Sequence, residues 1–130
     1  MRLWMVDPRF MCRKHLLGEH VECHMFVGSI LKGTSMNGYL ADGFLEIESL
    51  RSRHEELAAE LVRRNYNHAS PLPDFSVERF SVHQLTIRID RSKSLALLHD
   101  RCLGCATNYN VGDVDGVIER SRRRHNKGLG

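Results

Sequence analysis

Apolar and polar positions along this chain recur with a helical rhythm over three stretches. Between about Arg13 and Ile30, Leu17, Val21 and Met25 fall at i, i+4 and i+8, while His15, Glu19 and Glu22 fall at i, i+4 and i+7 on a different face. This predicts a helix with one apolar and one ionisable face, ending before Gly33 in "KGTSMNG". A second helix is predicted from about Ser49 to Arg64. Leu50, His54, Leu57 and Leu61 keep a 3.6-residue rhythm there, and Ser49 or Ser52-x-x-Glu55 offers a start signal. Pro71 and Pro73 in "NYNHASPLP" forbid its continuation, and His54 on the stripe reads as a core or boundary histidine. The third helix is "DRSKSLALLHDRC", capped by Asp90 or Ser92, with Leu95, Leu98 and Cys102 on one side.

The intervening "FSVERFSVHQLTIRID" alternates in part and reads as loop or short strand. "GCATNYNVGDVDG" reads as a Gly- and Asn-rich connection leading to a short helical "VIERSRRRH". The expected fold is mostly α: a single compact domain of three principal helices with long irregular connections. Residues 1–119 would form the domain and 120–130 a basic C-terminal tail.

Length and charge sharpen this picture. At 130 residues and 15.0 kDa the chain can bury one core but not two. The formal charge is +3, yet residues 120–130 carry five basic side chains and no acid, so subtracting five leaves −2 for the preceding 119 residues. Arg120, Arg122, Arg123 and Arg124 therefore read either as a contact for a polyanion such as nucleic acid or as a solvated terminus. With no long apolar run, and with charges among the first ten residues, neither a membrane span nor a secretory signal is expected, and the protein is expected to be cytoplasmic.

The segment "HLLGEHVECHM" concentrates the candidate chemistry. His20 and His24 lie at i, i+4 and could share a metal ion, whereas His15 points elsewhere. Cys102 and Cys105 form the single CxxC, which Cys12, Cys23 or histidines would have to complete as a metal site; otherwise they are reduced, buried thiols. The His15/Glu19/Glu22 face offers a glutamate as general base but no nucleophile and no Ser-His-Asp order, so a catalytic partner must come from elsewhere. Read without that partner, it is a solvated helix face.

A resemblance supplies the partner. "MRLW", "HLLGEHVE" and "LRSRHEELAAELVRRNYNHASPL", with an echo in "IDRSKSLALLHDRC", resemble the pyrimidine-dimer DNA glycosylases of the phage endonuclease V type, over most of the chain up to about residue 102. In that family the nucleophile is the α-amine of the mature N-terminus, and a glutamate 21 residues later is the acid/base. The resemblance thus implies that Met1 supplies the amine and Glu22 the carboxylate, with Arg2 of a size expected to block removal of Met1. It further implies that His15 orients the glutamate or contacts the DNA backbone. An α-amine is a weaker base than a lysine side chain, so more of it is neutral and nucleophilic near neutral pH.

The function implied by the resemblance is that of a DNA repair glycosylase with abasic-site lyase activity. Such an enzyme works through a Schiff base, as a monomer on damaged double-stranded DNA, with no cofactor or catalytic metal and no membrane. A kinked duplex and an extruded nucleotide belong to the same implication. Arg2, Arg13, Lys14, Lys32 and the tail arginines would bind phosphates, and Tyr109 stands where the family lines the lesion with aromatic rings. Two arginines of the phage pattern, just before the glutamate and three positions after it, are here Val21 and Met25. Two other readings stand beside this one. One is a non-catalytic nucleic-acid-binding protein of the same fold; the other is a zinc-dependent nuclease or zinc-stapled module using His20, His24, Cys102 and Cys105.

Overall fold

A computed structural model describes residues 1–67 and 70–115, with side chains described as far as residue 110. Six α-helices are present among them: α1 (Arg13–Leu31), α2 (Asn37–Ala41), α3 (Leu50–Arg63), α4 (Val82–Thr86), α5 (Arg91–Arg101) and α6 (Leu103–Asp115). Single 3-10 turns stand at Pro8–Phe10 and Ile47–Ser49, and no strand occurs among the described residues. The mostly α expectation holds, with three short or late helices added to the three anticipated. No helix of the described residues is long and apolar enough to cross a membrane.

The two long helices end alike. At the end of α1 the Thr34 amide donates to the Ser29 carbonyl and the Gly33 amide to that of Ile30; at the end of α3 the Tyr66 and Asn65 amides reach back to Leu61 and Val62. Each closure needs a left-handed residue, supplied by Gly33 (φ 78°) and Asn65 (φ 66°). Asn65 thus stops α3 well before Pro71, so the prolines are not its terminator.

α1 packs along α3, but not on the face its apolar spacing suggested. Val21 and Met25 are each 53% exposed, while the buried side is Leu16, Glu19, His20, Cys23, Phe26, Val27 and Ile30. The period is right and the phase is turned, because two ionisable residues of α1 have partners on α3. The α3 stripe keeps its predicted phase, with Leu50, His54, Leu57 and Leu61 all buried.

Two further stretches differ from expectation. In "FSVHQLT" the hydroxyl of Ser81 accepts from the Gln84 amide while the Gln84 side chain accepts from the Ser81 amide, a capping box that starts α4 where partial alternation suggested strand. The Gly- and Asn-rich "GCATNYNVGDVD" is helix α6, packed against α5 and the 3-10 turn at Pro8–Phe10. Tertiary packing overrides weak local propensity there. Asp90 caps α5 as expected, accepting from the Lys93 amide. The predicted helix in "VIERSRRRH" and the basic tail lie outside the described residues.

The N-terminal segment runs through the middle of this arrangement. Leu3, Trp4, Met5 and Val6 are buried, and polar groups from four parts of the chain hold their backbone. The Leu3 amide donates to the Phe44 carbonyl, the Ser94 hydroxyl to that of Trp4, and Arg53 to that of Val6; the Met5 amide lies 3.5 Å from a Glu19 carboxylate oxygen. Arg64 donates to the carbonyls of Pro8, Arg9 and Met11 while Glu60 holds its guanidinium. At the centre Arg53 grips Glu19 with two hydrogen bonds, of 2.7 and 2.9 Å, both side chains being almost wholly buried.

Removing one partner of such a pair strands the other charge in the interior. Arg53→Met is expected to lower the unfolding free energy by about 3–5 kcal/mol in urea titrations. The double variant Glu19→Leu/Arg53→Met is expected to regain much of that loss; a double variant no more stable than the single one would show that the residues act separately.

Candidate active site

α1 presents Glu22 one turn beyond Glu19, on the side that meets the chain start. Its carboxylate oxygen Oε1 accepts the Arg2 backbone amide at 2.7 Å. Three covalent bonds separate that amide nitrogen from the Met1 nitrogen, a span of about 3 Å, so the carboxylate lies within about 6 Å of the α-amine. Met1 is half-buried against the core, as is Glu22. The structure therefore brings together the two residues that the family resemblance implied.

Arg2 is placed differently from a solvated phosphate contact. Its guanidinium carbon sits 4.0 Å from the Trp4 ring centroid and 4.7 Å from that of Phe44, and one terminal nitrogen donates to Ser94 Oγ at 3.1 Å. Its buried Nε has no hydrogen-bond partner among the described residues. Burial, then the charge of Arg101, lowers its pKa from the ordinary value, against the opposing pull of Glu19 and Glu22. Arg2 thus serves first to pin the chain start between two rings.

His15 shares the α1 face with Glu22 but directs Nδ1 toward sulfur, 3.3 Å from Cys12 Sγ and 3.7 Å from Cys105 Sγ. Its ring meets Trp4 edge-on with centroids 6.0 Å apart. Burial and Lys14 push the imidazole pKa down, while Glu22 and Glu19 pull it up. Cys23 is fully buried, and burial pushes its thiol far up, so it is no nucleophile for this face.

The other anticipated contacts are dispersed. Arg13, Lys14 and Lys32 are exposed at the two ends of α1, with Arg13 5.2 Å from the Tyr66 ring centroid. Tyr109 packs against Phe10 and His99 and lines a cleft with Met5, Leu95 and Leu98, which neither Met1 nor Glu22 lines. The four tail arginines lie outside the described residues. His20, His24, Cys102 and Cys105 do not form one cluster. His20 and His24 gather with His54, whereas Cys102 and Cys105 gather with Cys12 and His15. His54 is buried as its stripe position required, with Nε2 3.1 Å from His24 Nε2. Residues that spacing alone missed are Phe44 and Ser94, which reach Arg2 from 42 and 92 positions away with no local signal.

With this geometry in hand, the comparison with known families is specific. The family model of pyrimidine dimer DNA glycosylases matches residues 1–74, more than half of the chain and the part that contains Met1, Glu22, Phe44 and Arg53, and the chain belongs to that family. No curated protein and no solved structure matches it.

The loop that carries Phe44 depends on Glu46. Burial pushes this carboxyl up, but hydrogen bonds from Ser49 and the Ile89 amide, with the charge of Arg91, outweigh it and hold the pKa below the ordinary 4.5. The unfolded chain then binds the proton more readily, so the contribution is complete above pH 4.5 and is lost as pH falls through the folded value. Glu46→Gln is expected to cost about 1–3 kcal/mol at pH 7. In thermal melts the gap from the parent should narrow as pH drops below 4.5; a gap constant with pH would show that the charge contributes nothing.

Proposed function

We propose that this protein excises a damaged pyrimidine, a dimer or a related lesion, and cleaves the abasic strand through a Schiff base on the Met1 α-amine, with Glu22 as the acid/base. The observation that carries this reading is the 2.7 Å contact of Glu22 with the Arg2 amide, which holds a carboxylate beside the chain's first nitrogen. Membership in a DNA glycosylase family supplies the substrate class.

In this mechanism the neutral amine forms a bond to the sugar C1′. The glycosidic bond breaks with its electron pair leaving on the base, and the sugar ring opens to a protonated imine between C1′ and the Met1 nitrogen. Glu22 stabilises the positive charge that develops at C1′, then removes a proton from C2′. The electrons released expel the 3′ phosphate oxygen, and water hydrolyses the imine to free the amine. His15 has no hydrogen bond to Glu22 among the described contacts, so its part is positional: it braces Trp4 and, with it, the segment carrying the nucleophile.

DNA would lie along α1. Arg13 and Lys14 stand at one end of the helix and Lys32 at the other, with Glu22 roughly midway, so the basic groups bracket the carboxylate over about 27 Å. The exposed Val21 and Met25 beside it offer apolar surface and no phosphate clamp. Phosphate contacts from these groups and the tail arginines make binding by a monomer strongly salt-dependent.

Borohydride trapping of untagged protein on ultraviolet-irradiated duplex and on abasic duplex is expected to give a covalent adduct that maps to Met1. An adduct with the abasic duplex alone would retain the lyase and reassign the lesion. No adduct with either, alongside salt-sensitive binding, would favour a non-catalytic DNA-binding protein. Glu22→Gln is expected to lower strand cleavage by at least about 100-fold with DNA binding little changed, since the amide oxygen can still accept the Arg2 N–H. An uncleaved N-terminal extension should abolish excision, because an amide nitrogen is not nucleophilic.

A further inference from the structure

Cys12, His15, Cys102 and Cys105 converge from sequence positions 90 apart, although the chemistry at Glu22 has no use for thiols. Cys12 caps α1, His15 lies in its first turn, Cys102 ends α5, and Cys105 lies in the first turn of α6. The sequence pattern is therefore C-x2-H joined to C-x2-C. Their ligand atoms lie within 4.8 Å of one another.

The individual separations are informative. Cys12 Sγ is 3.8 Å from Cys102 Sγ, and His15 Nδ1 is 3.3 and 3.7 Å from Cys12 Sγ and Cys105 Sγ. Around a tetrahedral zinc, with Zn–S near 2.3 Å and Zn–N near 2.0 Å, the S···S edge is about 3.8 Å and the S···N edge about 3.5 Å. A disulfide would need sulfurs about 2.05 Å apart.

The backbone around the thiols is arranged for sulfur carrying negative charge. The Cys12 amide donates to Cys105 Sγ at 3.2 Å, the His15 amide to Cys12 Sγ at 3.4 Å, and the Cys105 amide to Cys102 Sγ at 3.4 Å. Each sulfur accepts at least one N–H, the kind of outer support that orients thiolate ligands. Gly104 permits the approach, since a Cβ there would stand 3.3 Å from Cys12 Cβ.

We propose that these four residues bind a structural zinc ion that fastens the start of α1 to the α5–α6 junction. Three thiolates and one imidazole select a soft, tetrahedral divalent ion, and four protein ligands leave no position for a reacting water. The ion would close a loop from the first turn of α1 to the first turn of α6. Through the Trp4 contact with His15 it would also brace the segment that carries Met1.

The test uses the untagged full chain, so that no added histidines bind metal. Elemental analysis should find a zinc equivalent per chain, and cobalt replacing it should show thiolate-to-cobalt charge transfer with intense tetrahedral visible bands. Cys102→Ser should lose both signals. His15→Cys should retain cobalt with an altered spectrum, which separates ligation from a general need for this side chain in folding. His24→Ala should leave the cobalt spectrum unchanged. Absence of thiolate–cobalt absorption in reduced parent protein would overturn the proposal, as would a Cys12–Cys102 disulfide in protein purified without reductant, or loss of the metal in His24→Ala but not in Cys102→Ser.

Discussion

The buried pair of Glu19 and Arg53 is the interaction on which the arrangement depends. A carboxylate and a guanidinium withdrawn from water cost several kcal/mol each, and their attraction offsets this only when the remaining hydrogen-bonding positions are filled. Here they are filled by Val6, Met5, Glu56 and the Met11 sulfur, which come from the N-terminal segment and from α3 itself. The pair therefore specifies more than it stabilises. The directional bonds tie α1, α3 and residues 5–11 to one another at fixed positions, whereas an apolar seam between the same helices would tolerate sliding.

That placement reaches the chemistry through helical spacing. Glu19 and Glu22 lie three residues apart on α1 and face amides three residues apart on the N-terminal segment, those of Met5 and Arg2, in antiparallel order. Fixing Glu19 against Met5 fixes where Arg2 falls, and so where the α-amine falls. Met5 adopts a left-handed conformation, φ 55°, uncommon for a residue with a side chain. Such a conformation persists only where surrounding contacts over-determine it. The buried Trp4, Met5 and Val6 provide those contacts.

The same pair explains which features were legible in the sequence. The register of Met1 and Glu22 could be read because covalent spacing and a family pattern carry it. α3 could be read because Leu50, Leu57 and Leu61 bury for a reason visible in each residue alone. The phase of α1 could not: Glu19 is buried by an arginine 34 positions away, and His20 stacks on His54 with ring centroids 4.7 Å apart. With polar groups drawn inward, Val21 and Met25 are turned outward. α6 was hidden for a related reason, since Gly104 and Asn108 weaken local helix propensity and only packing against the Pro8–Phe10 turn and α5 makes the helix. α4, by contrast, carried a local signal in Ser81-x-x-Gln84 that partial alternation obscured.

For the proposed Met1 nucleophile a frayed chain terminus would be an awkward place, because attack from a wandering amine forfeits the advantage of a held geometry. In this fold the entropy is removed before any substrate binds. Leu3 to Val6 are buried, Arg2 lies between Trp4 and Phe44, and the Leu3 amide is committed to Phe44. The held backbone therefore extends to the Arg2 amide, and Met1 itself packs partly against the core. Phe44 and Ser94, neither of them chemically reactive here, thus belong to the candidate site beside Glu22, because they hold Arg2, Leu3 and Trp4 immediately behind Met1.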